Sequence, residues 1–343
     1  EPETIESGGL LSNTLSVIIR FHKRDRLSFL DEALFSLALQ YWRDLEVIVC
    51  VQNGSQSLLD EVTNLLSSQP WVAPICSKVI CVAVSEDTDG RVVLLNRGIE
   101  EAKGRYLAFL DDDDVVYQHG YKYLIDRLRS SELAVAVGGC RVAQADYTSG
   151  HWFVTSKRTP FSWGRTRFDL LRDNFIPIHS YVIDRARVKA ADLRFDSNFT
   201  LLEDYEFLLR LSAQYEFDFA GISTPVCEYR VRNDGSNSIP FEQEPVPEVR
   251  AALERARSAI EDRKRNLRVV ISPNEVQAIR EQITALERRL EHEQSIYRSS
   301  PVYKVAWKVN AFLTRHEKIG RLTNRFVMGL WGRYKKLKAG VAS

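Results

Sequence analysis

The chain has 343 residues, of which 44% are hydrophobic and 27% charged, with 17 Gly, 11 Pro and 5 Cys. This composition excludes collagen-like, wholly disordered and disulfide-scaffold proteins, and the length suits one large domain or two. The formal net charge of +1 conceals an asymmetry, because residues 298–343 carry a net charge of +10 and the residues before them −9. The basic C-terminal segment is therefore expected to meet an anionic partner.

The cysteines and the hydropathy pattern bear on localisation. The five cysteines are odd in number and contain no Cys-x-x-Cys pair, so reduced thiols in a cytoplasmic protein are expected. No apolar run reaches the length of a membrane span, and no secretory signal opens the chain. These patterns predict a cytoplasmic protein without a transmembrane helix.

Strand and helix patterns alternate through the first third of the chain, after a polar lead-in at residues 1–13. Short apolar runs predict strands at 15–19, 45–51, 79–84 and 106–110. Apolar residues at helical spacing predict helices at 28–40, 57–67 and 91–103, the last with Gly104 as its C-terminal glycine. Apolar strands that alternate with helices predict an α/β fold with a mostly parallel central sheet.

Three polar segments follow predicted strands directly. They are Arg20-Phe21-His22, Gln52-Asn53-Gly54 and Asp111–Asp114. Because ligands of such sheets bind beyond the carboxyl ends of the strands, these segments predict the position of the pocket.

The pattern of the remaining residues predicts that a domain ends near residue 240 and that a helical region follows it. An amphipathic helix is expected at 202–212, and three prolines (Pro240, Pro245 and Pro247) then mark the end of a domain over residues 14–240. A helical linker and coiled coil are expected at 241–297. Its apolar positions alternate spacings of three and four: Val276, Ile279, Ile283, Leu286, Leu290 and Tyr297. Self-association through 275–297 and packing of this helix on its own domain both remain open.

The aspartate run Asp111–Asp114 is the sharpest chemical signal. Like charges packed together repel, and a divalent cation such as Mn²⁺ or Mg²⁺ would relieve that repulsion with carboxylate ligands. The alternative is a solvated acidic loop, which the position after a buried strand disfavours.

The segment Tyr106–Asp114 resembles the strand and D-x-D motif of family 2 glycosyltransferases, which have the GT-A fold. The resemblance extends over about residues 14–240, with further motifs in the family's order. These are Leu15–Lys23, Glu46–Ser55, Gly90–Gly104, Leu202–Glu206 and Tyr229–Ser238.

The resemblance implies roles for individual residues. Asp111 and Asp113 would hold the divalent cation, and Asp112 would lie near the ribose of a nucleotide-sugar. Asp204 would be the catalytic base of an inverting transfer, with Glu203 as the fallback. A plain helix-capping role is the alternative for the Glu203-Asp204 pair.

The chain also departs from the family pattern. Gln52 replaces the acidic residue that usually reads the nucleobase, with Asn53 after it, and the opening strand continues as Arg20-Phe21-His22 instead of Pro-x-Tyr-Asn. Arg20 and Arg91 are each expected either to contact the nucleotide or to form a structural salt bridge.

The sequence leaves two further roles undecided, one at the metal and one at the acceptor. The closing segment lacks the family's metal-binding His, so Asn233, Asp234 or water would fill that place, or Arg232 would hold the diphosphate. His179 is expected to be either a structural histidine or a contact of the acceptor or of a phosphate.

Together these expectations predict a metal-dependent, inverting glycosyltransferase. Its donor would be a UDP-, GDP- or dTDP-sugar, and its acceptor a glycan or a lipid-linked molecule. Bacterial surface polysaccharide or lipid-linked glycan synthesis is the setting that the resemblance implies. The basic amphipathic tail at 298–343 is expected on the inner face of the cell membrane or folded against protein, and not on nucleic acid. The alternative function is a non-catalytic glycosyltransferase-like scaffold in a membrane-associated assembly.

Overall fold

The computed structural model describes residues 10–85, 88–148, 151–161, 163–232, 246–299 and residue 308. The chain divides into two compact units, residues 1–270 and residues 271–343. The predicted lead-in at 1–13, the closing segment after Arg232 and the basic tail lie wholly or largely outside the described residues.

The first unit contains two sheets and seven helices within the described residues. The strands are β1 (Leu11–Phe21), β2 (Leu45–Gln52), β3 (Cys76–Val82), β4 (Gly104–Asp111), β5 (Val115–Val116), β6 (Val135–Val137), β7 (Gly139–Thr148), β8 (His151–Arg158), β9 (Tyr181–Asp184), β10 (Phe217–Asp218) and β11 (Pro225–Arg232). The helices are α1 (Leu27–Ala38), α2 (Gln56–Ser67), α3 (Arg91–Glu101), α4 (Gly120–Arg129), α5 (Arg167–Arg172), α6 (Glu203–Gln214) and α7 (Pro247–Asn266).

The central sheet has the strand order β10-β6-β9-β4-β1-β2-β3. Strands β3, β2, β1 and β4 are mutually parallel, whereas β9 runs antiparallel to both β4 and β6. A smaller sheet has the order β5-β11-β7-β8. The predicted α/β fold with a mostly parallel central sheet is therefore confirmed.

The side chains of β1 alternate between two hydrophobic layers, one on each face of the central sheet. Ile18 packs in the layer that contains Leu95 of α3, while Val17 and Ile19 pack in the layer that contains Leu34 of α1. All these residues are at most 1% exposed. Because helices cover both faces, the polar residues at the carboxyl ends of β1, β2 and β4 are left to form the pocket.

The first unit extends further along the chain than the predicted boundary near residue 240. Helix α7 buries Leu253 and Ile260, which lie seven residues apart on one helical face, and Ile260 joins the core. Arg263 of α7 also pairs with Asp196 and with Glu206 of α6. The region predicted as one linker at 241–297 is thus divided, and α7 belongs to the first unit.

Gly104 has a different role from the predicted helix terminus. Helix α3 ends at Glu101, and Gly104 is the first residue of β4. A Cβ atom at Gly104 would lie 2.5 Å from the carbonyl oxygen of Thr14 and 2.8 Å from the backbone nitrogen of Ser16. Glycine is therefore needed here because β1 and β4 approach each other closely.

The second unit contains α8 (Pro273–Ser299), a helix of 27 residues, where the sequence predicts the coiled coil. The apolar side chains of Val276, Ile283, Leu286 and Leu290 are 37–65% exposed. The helix is confirmed, and self-association stays a prediction. None of the helices in the described part of the chain combines the length and apolarity that a bilayer crossing requires.

Candidate active site

Arg20 connects the end of β1 to two acidic segments. The parallel register pairs Arg20 with Asp111 across β1 and β4, so their side chains leave the sheet at the same edge. The guanidinium donates two hydrogen bonds to Asp111, at 2.7 and 3.0 Å, and a third to Glu203 at 2.8 Å. This network joins the aspartate run to the Glu203-Asp204 pair, as the predicted pocket requires.

The charges of this network shift the pKa values of its members. Burial alone would raise the pKa of Asp111, but the charge and hydrogen bonds of Arg20 outweigh burial and lower it. The two carboxylates in turn hold the pKa of Arg20 well above its ordinary value despite burial. Arg20 and Asp111 are therefore both charged at neutral pH, as strong mutual pairing demands.

Arg26 holds the next two aspartates. Its guanidinium donates to both oxygens of Asp112, at 2.7 and 2.6 Å, and lies 2.9 Å from Asp113. Burial, offset in part by Arg26 and reinforced by the charge of Asp113, raises the pKa of Asp112 to about 6. Sequence reasoning missed Arg26, although the basic run Lys23-Arg24 and Arg26 directly after β1 was a visible signal.

Asp114 lies beneath the pocket and is fully buried. One of its carboxylate oxygens accepts a hydrogen bond from the backbone nitrogen of Arg230 at 2.7 Å, and the other lies 3.2 Å from Nδ1 of His179. His179 is 1% exposed, and its Nε2 lies 3.5 Å from Sγ of Cys140. The structural-histidine alternative is therefore the one observed, and the predicted contact of His179 with substrate is corrected.

Asp204 is the carboxylate of the pocket whose pKa best suits a catalytic base. Burial, followed by the charge of neighbouring Glu203, raises the pKa of Asp204 to about 7. Glu203 is 5% exposed and engaged by Arg20, whereas Oδ1 of Asp204 accepts a hydrogen bond from the backbone nitrogen of Tyr205 at 2.8 Å. A carboxylate whose pKa lies near neutral pH is suited to accept a proton during a reaction.

The turn before α6 explains how these two acids reach the pocket. Leu202 has a φ of 60°, a left-handed conformation that is uncommon for residues other than glycine. Helix α6 begins at Glu203, so both acids lie in its first turn, where the helix dipole favours negative charge. The structure is thus compatible with a capping contribution as well as a chemical one.

Tyr181 is a further pocket neighbour that sequence reasoning missed. Its side chain is fully buried, and its hydroxyl has no hydrogen-bond partner among the described residues. Burial and then the charges of Asp204 and Asp111 raise its pKa well above the ordinary value. A neutral phenol therefore lies near both acidic segments, and no sequence pattern singled it out.

Gln52 and Asn53, at the end of β2, have side chains with different contacts. The side chain of Gln52 lies against Gly90, where an added Cβ would overlap its Oε1 atom. Asn53, with a φ of 47°, uses its amide to bind both the nitrogen and the carbonyl oxygen of Val84, each at 2.8 Å. The role of Gln52 as the reader of a base stays a prediction, whereas Asn53 acts in the structure as a backbone clamp.

The rim between β1 and α3 is cationic. His22 is exposed, and its pKa is lowered by partial burial and then by the charges of Arg26, Lys23, Arg20 and Arg91. Arg91, at the start of α3, pairs with Asp89 at 3.3 Å. A concentration of positive charge at the strand ends suits a phosphate-bearing ligand.

Two further predicted contacts have different outcomes. Phe21 is 0% exposed and packs in the core on the α1 side of the sheet, so the prediction that its side chain contacts substrate is corrected. Arg232 is the last described residue of β11, and its side chain is outside the described part of the chain, as are Asn233 and Asp234.

The donor set at Asp111 and Asp113 fits a divalent cation. Both side chains are partly exposed, at 19% and 18%, and supply the hard carboxylate oxygens that Mn²⁺ or Mg²⁺ prefers. Arg20 and Arg26 already pair with these acids, but the two arginines are shared among four carboxylates (Asp111, Asp112, Asp113 and Glu203), so they offset only part of the repulsion. The expectation that a divalent cation relieves the remaining repulsion stays a prediction.

The structure shows a mostly parallel α/β sheet with an acidic pocket at its strand ends, and comparison with known proteins identifies the family. The model of Glycosyl transferase family 2 matches residues 16–186, a range that includes the aspartate run. The chain belongs to glycosyl transferase family 2, and the predicted GT-A fold is confirmed.

Several relatives are similar to parts of the chain. An uncharacterized glycosyltransferase of Escherichia coli, YibD, is 30% identical over 36% of this chain and 33% of its own length. The putative teichuronic acid biosynthesis glycosyltransferase TuaG of Bacillus subtilis is 22% identical over 64% of this chain and 79% of its own length. The match with YibD thus spans only a third of that relative.

Solved structures with a similar fold include two with a bound sugar nucleotide. S. aureus TarS 1–349 in complex with UDP-GlcNAc has a TM-score of 0.44 and 14% identity, covering 64% of this chain and 59% of that one. The mannosyltransferase PcManGT of Pyrobaculum calidifontis, in complex with GDP-Man and Mn²⁺, has a TM-score of 0.43 and 13% identity, covering 87% and 84%.

Proposed function

We propose that the chain is an inverting, divalent-cation-dependent glycosyltransferase that moves a sugar from a nucleotide-diphosphate-sugar to a hydroxyl acceptor. The observation that carries this proposal is the bridge by Arg20, which brings Asp111 and the Glu203-Asp204 pair to one edge of the sheet. Asp111, a proposed metal ligand, and Asp204, the candidate base, thereby lie at one pocket. The family supports a transferase, and the name of TuaG supports a role in bacterial surface polysaccharide synthesis.

Asp204 is the proposed base. It takes the proton of the acceptor hydroxyl as that oxygen bonds to the anomeric carbon, while the bond from this carbon to the diphosphate breaks on the opposite face. The single displacement inverts the anomeric configuration and forms no covalent enzyme intermediate. Glu203 instead orients Arg20, because its carboxylate is already committed to that guanidinium.

Asp111 and Asp113 are the proposed holders of the divalent cation, which would supply Lewis-acid stabilisation of the departing diphosphate. Arg20 and Arg26 hold these carboxylates in place before donor binding. Gln52 is the proposed contact of the nucleobase, and Arg91 and His22 lie on the cationic rim that the diphosphate would approach.

Thermal shift with UDP-, GDP- and dTDP-sugars, each with and without Mn²⁺, tests donor and cation binding together. The proposal expects cation-dependent stabilisation by at least one donor, and product analysis expects inversion. The arginine pairing of all three pocket aspartates also favours a second candidate, a non-catalytic scaffold that has no need of a cation. Failure of every donor to stabilise the protein would support the scaffold.

Two proposals concern regions outside the pocket. The exposed apolar seam of α8 supports self-association through residues 275–297. The net charge of +10 in residues 298–343 supports contact with anionic lipid on the inner face of the membrane. Flotation with anionic liposomes, comparing the full chain with one lacking residues 298–343, tests the second, and equal binding by both would refute it.

A further inference from the structure

Two cysteines and a histidine form a buried cluster beneath the aspartate run. Cys140 of β7 and Cys227 of β11 are direct partners in a parallel strand pair. His179 precedes β9 and directs Nε2 to 3.5 Å from Sγ of Cys140. The ligand atoms of all three residues lie within 4.8 Å of one another, and each residue is at most 1% exposed.

We propose that Cys140, His179 and Cys227 bind one zinc ion. In tetrahedral zinc sites the Zn–S and Zn–N bonds of about 2.3 and 2.0 Å place sulfur and nitrogen about 3.5 Å apart. This separation matches the distance between Cys140 and His179. The two strands and the loop before β9 therefore hold one sulfur–nitrogen pair at the spacing of a zinc site, and all three ligand atoms lie within 4.8 Å of one another.

Charge balance also favours zinc in this position. Two thiolates and a neutral imidazole cancel the double positive charge of the ion, so the ion with these three ligands adds no net charge to the buried cluster. Thiolates are soft ligands and disfavour Mg²⁺ and Mn²⁺, which prefer oxygen. The cluster is consequently selective for a different metal from the one proposed at Asp111 and Asp113.

Asp114 supplies the outer partner that metal-binding histidines usually have. Its Oδ2 lies 3.2 Å from Nδ1 of His179, the ring nitrogen that faces away from the cysteines. The two atoms are close but do not form a hydrogen bond in the structure. A hydrogen bond between them on metal binding would fix the orientation and tautomer of the imidazole and increase its basicity as a ligand. Because Asp114 ends the aspartate run, zinc at the cluster would stabilise the floor of the proposed active site.

Titration of the metal-free, reduced full-length protein with Co²⁺ tests the proposal, since two thiolate ligands produce a thiolate-to-cobalt charge-transfer band. The parent protein for the test carries Cys76→Ser and Cys81→Ser, because these two cysteines are exposed and offer adventitious thiols. We expect one equivalent of Co²⁺ to give the band and Zn²⁺ to displace it. Elemental analysis should then find one zinc per chain.

Variants in the same background locate the site. Cys140→Ser and Cys227→Ser should each abolish the band, whereas Cys50→Ser, a buried cysteine of β2 outside the cluster, should retain it. Asp114→Asn should weaken zinc affinity about 10- to 100-fold.

Three results would overturn the proposal, and the first and third need no variant of the cluster. They are the absence of a charge-transfer band in the parent protein, the same band in folded Cys140→Ser, and a native Cys140–Cys227 disulfide in non-reduced peptide mapping. The experiment contains neither donor nor Mn²⁺, so its outcome is independent of the proposed transferase activity.

Discussion

Replacing Arg20 with Gln removes the guanidinium that pairs with both Asp111 and Glu203. Arg20 and Asp111 are only 18% and 19% exposed and Glu203 is 5% exposed, so water would compensate poorly for the lost charge. Removing one partner of a buried ion pair costs about 3–5 kcal/mol because the remaining charge is left without compensation. Taking about 4 kcal/mol, and about 2–4 °C per kcal/mol for a large domain, we expect the melting temperature to fall by about 8–16 °C.

The pH dependence of this loss follows from the pKa of Asp111, which Arg20 holds below its ordinary value. A carboxylate with a lowered folded-state pKa stabilises the fold above its unfolded-state pKa, and that stabilisation disappears as the pH falls through the folded-state pKa. Arg20→Gln lacks this contribution. The difference between the variant and the wild type should therefore be full at pH 7.5 and shrink as the medium becomes acidic.

Thermal melts in EDTA at several pH values measure the effect. Arg24→Gln is the matched control, since Arg24 pairs with Glu61 on the surface, where the two side chains are 54% and 39% exposed. This substitution should change the melting temperature by less than about 3 °C. Adding Glu203→Gln to Arg20→Gln should recover part of the loss, because one uncompensated charge is removed. A loss below about 3 °C in Arg20→Gln, or one that is independent of pH, would refute the reasoning.

Three other substitutions test separate parts of the molecule. Asp204→Asn should abolish transfer yet raise the melting temperature at pH 8. Burial raises the pKa of Asp204 to about 7, so its ionised form destabilises the fold above that pH. A purely capping role predicts a lower melting temperature instead. Gly90→Ala should displace the side chain of Gln52 and change the relative affinities for UDP and GDP in calorimetry, with little change in melting temperature. Leu286→Glu should reduce the mass of the oligomer in light scattering, because it puts charge into the apolar seam, whereas Thr284→Glu, which lies outside the seam, should not.

The buried strands were predictable because their signal is local. The apolar run 45–51 corresponds to β2 at Leu45–Gln52 almost residue for residue. Strand β1 begins earlier than predicted, at Leu11, where the pattern is polar and pairing with Gly104 supplies the structure. Pairing between distant segments overrides a weak local pattern, and a single sequence does not reveal which segments pair.

The extent of the first unit was less predictable for a similar reason. Prolines and polar residues after Pro240 are typical of a domain boundary, and helix α7 carries few apolar residues. Two of these, Leu253 and Ile260, are nevertheless buried, and Arg263 pairs with Asp196 and Glu206. Whether a sparse apolar stripe packs on a domain depends on the complementary surface, which sequence periodicity does not describe.

The position of the pocket was predictable from topology alone, whereas its internal pairing was not. Parallel register places Arg20 beside Asp111, so the strand pattern already implied that these two residues meet. The attachment of Arg26 to Asp112 and Asp113 depends instead on the path of the loop before α1, for which the sequence offers only a cluster of basic residues.

This internal pairing changes the meaning of the aspartate run. Four adjacent carboxylates imply a metal if only their mutual repulsion is considered. In the structure Arg20 pairs with Asp111, Arg26 pairs with Asp112 and Asp113, and Asp114 turns inward to His179. The arginines therefore offset part of the repulsion, and any cation that binds must share these carboxylates with them. A diphosphate offers the arginines alternative anionic partners, so donor and cation should bind more tightly together than either does alone.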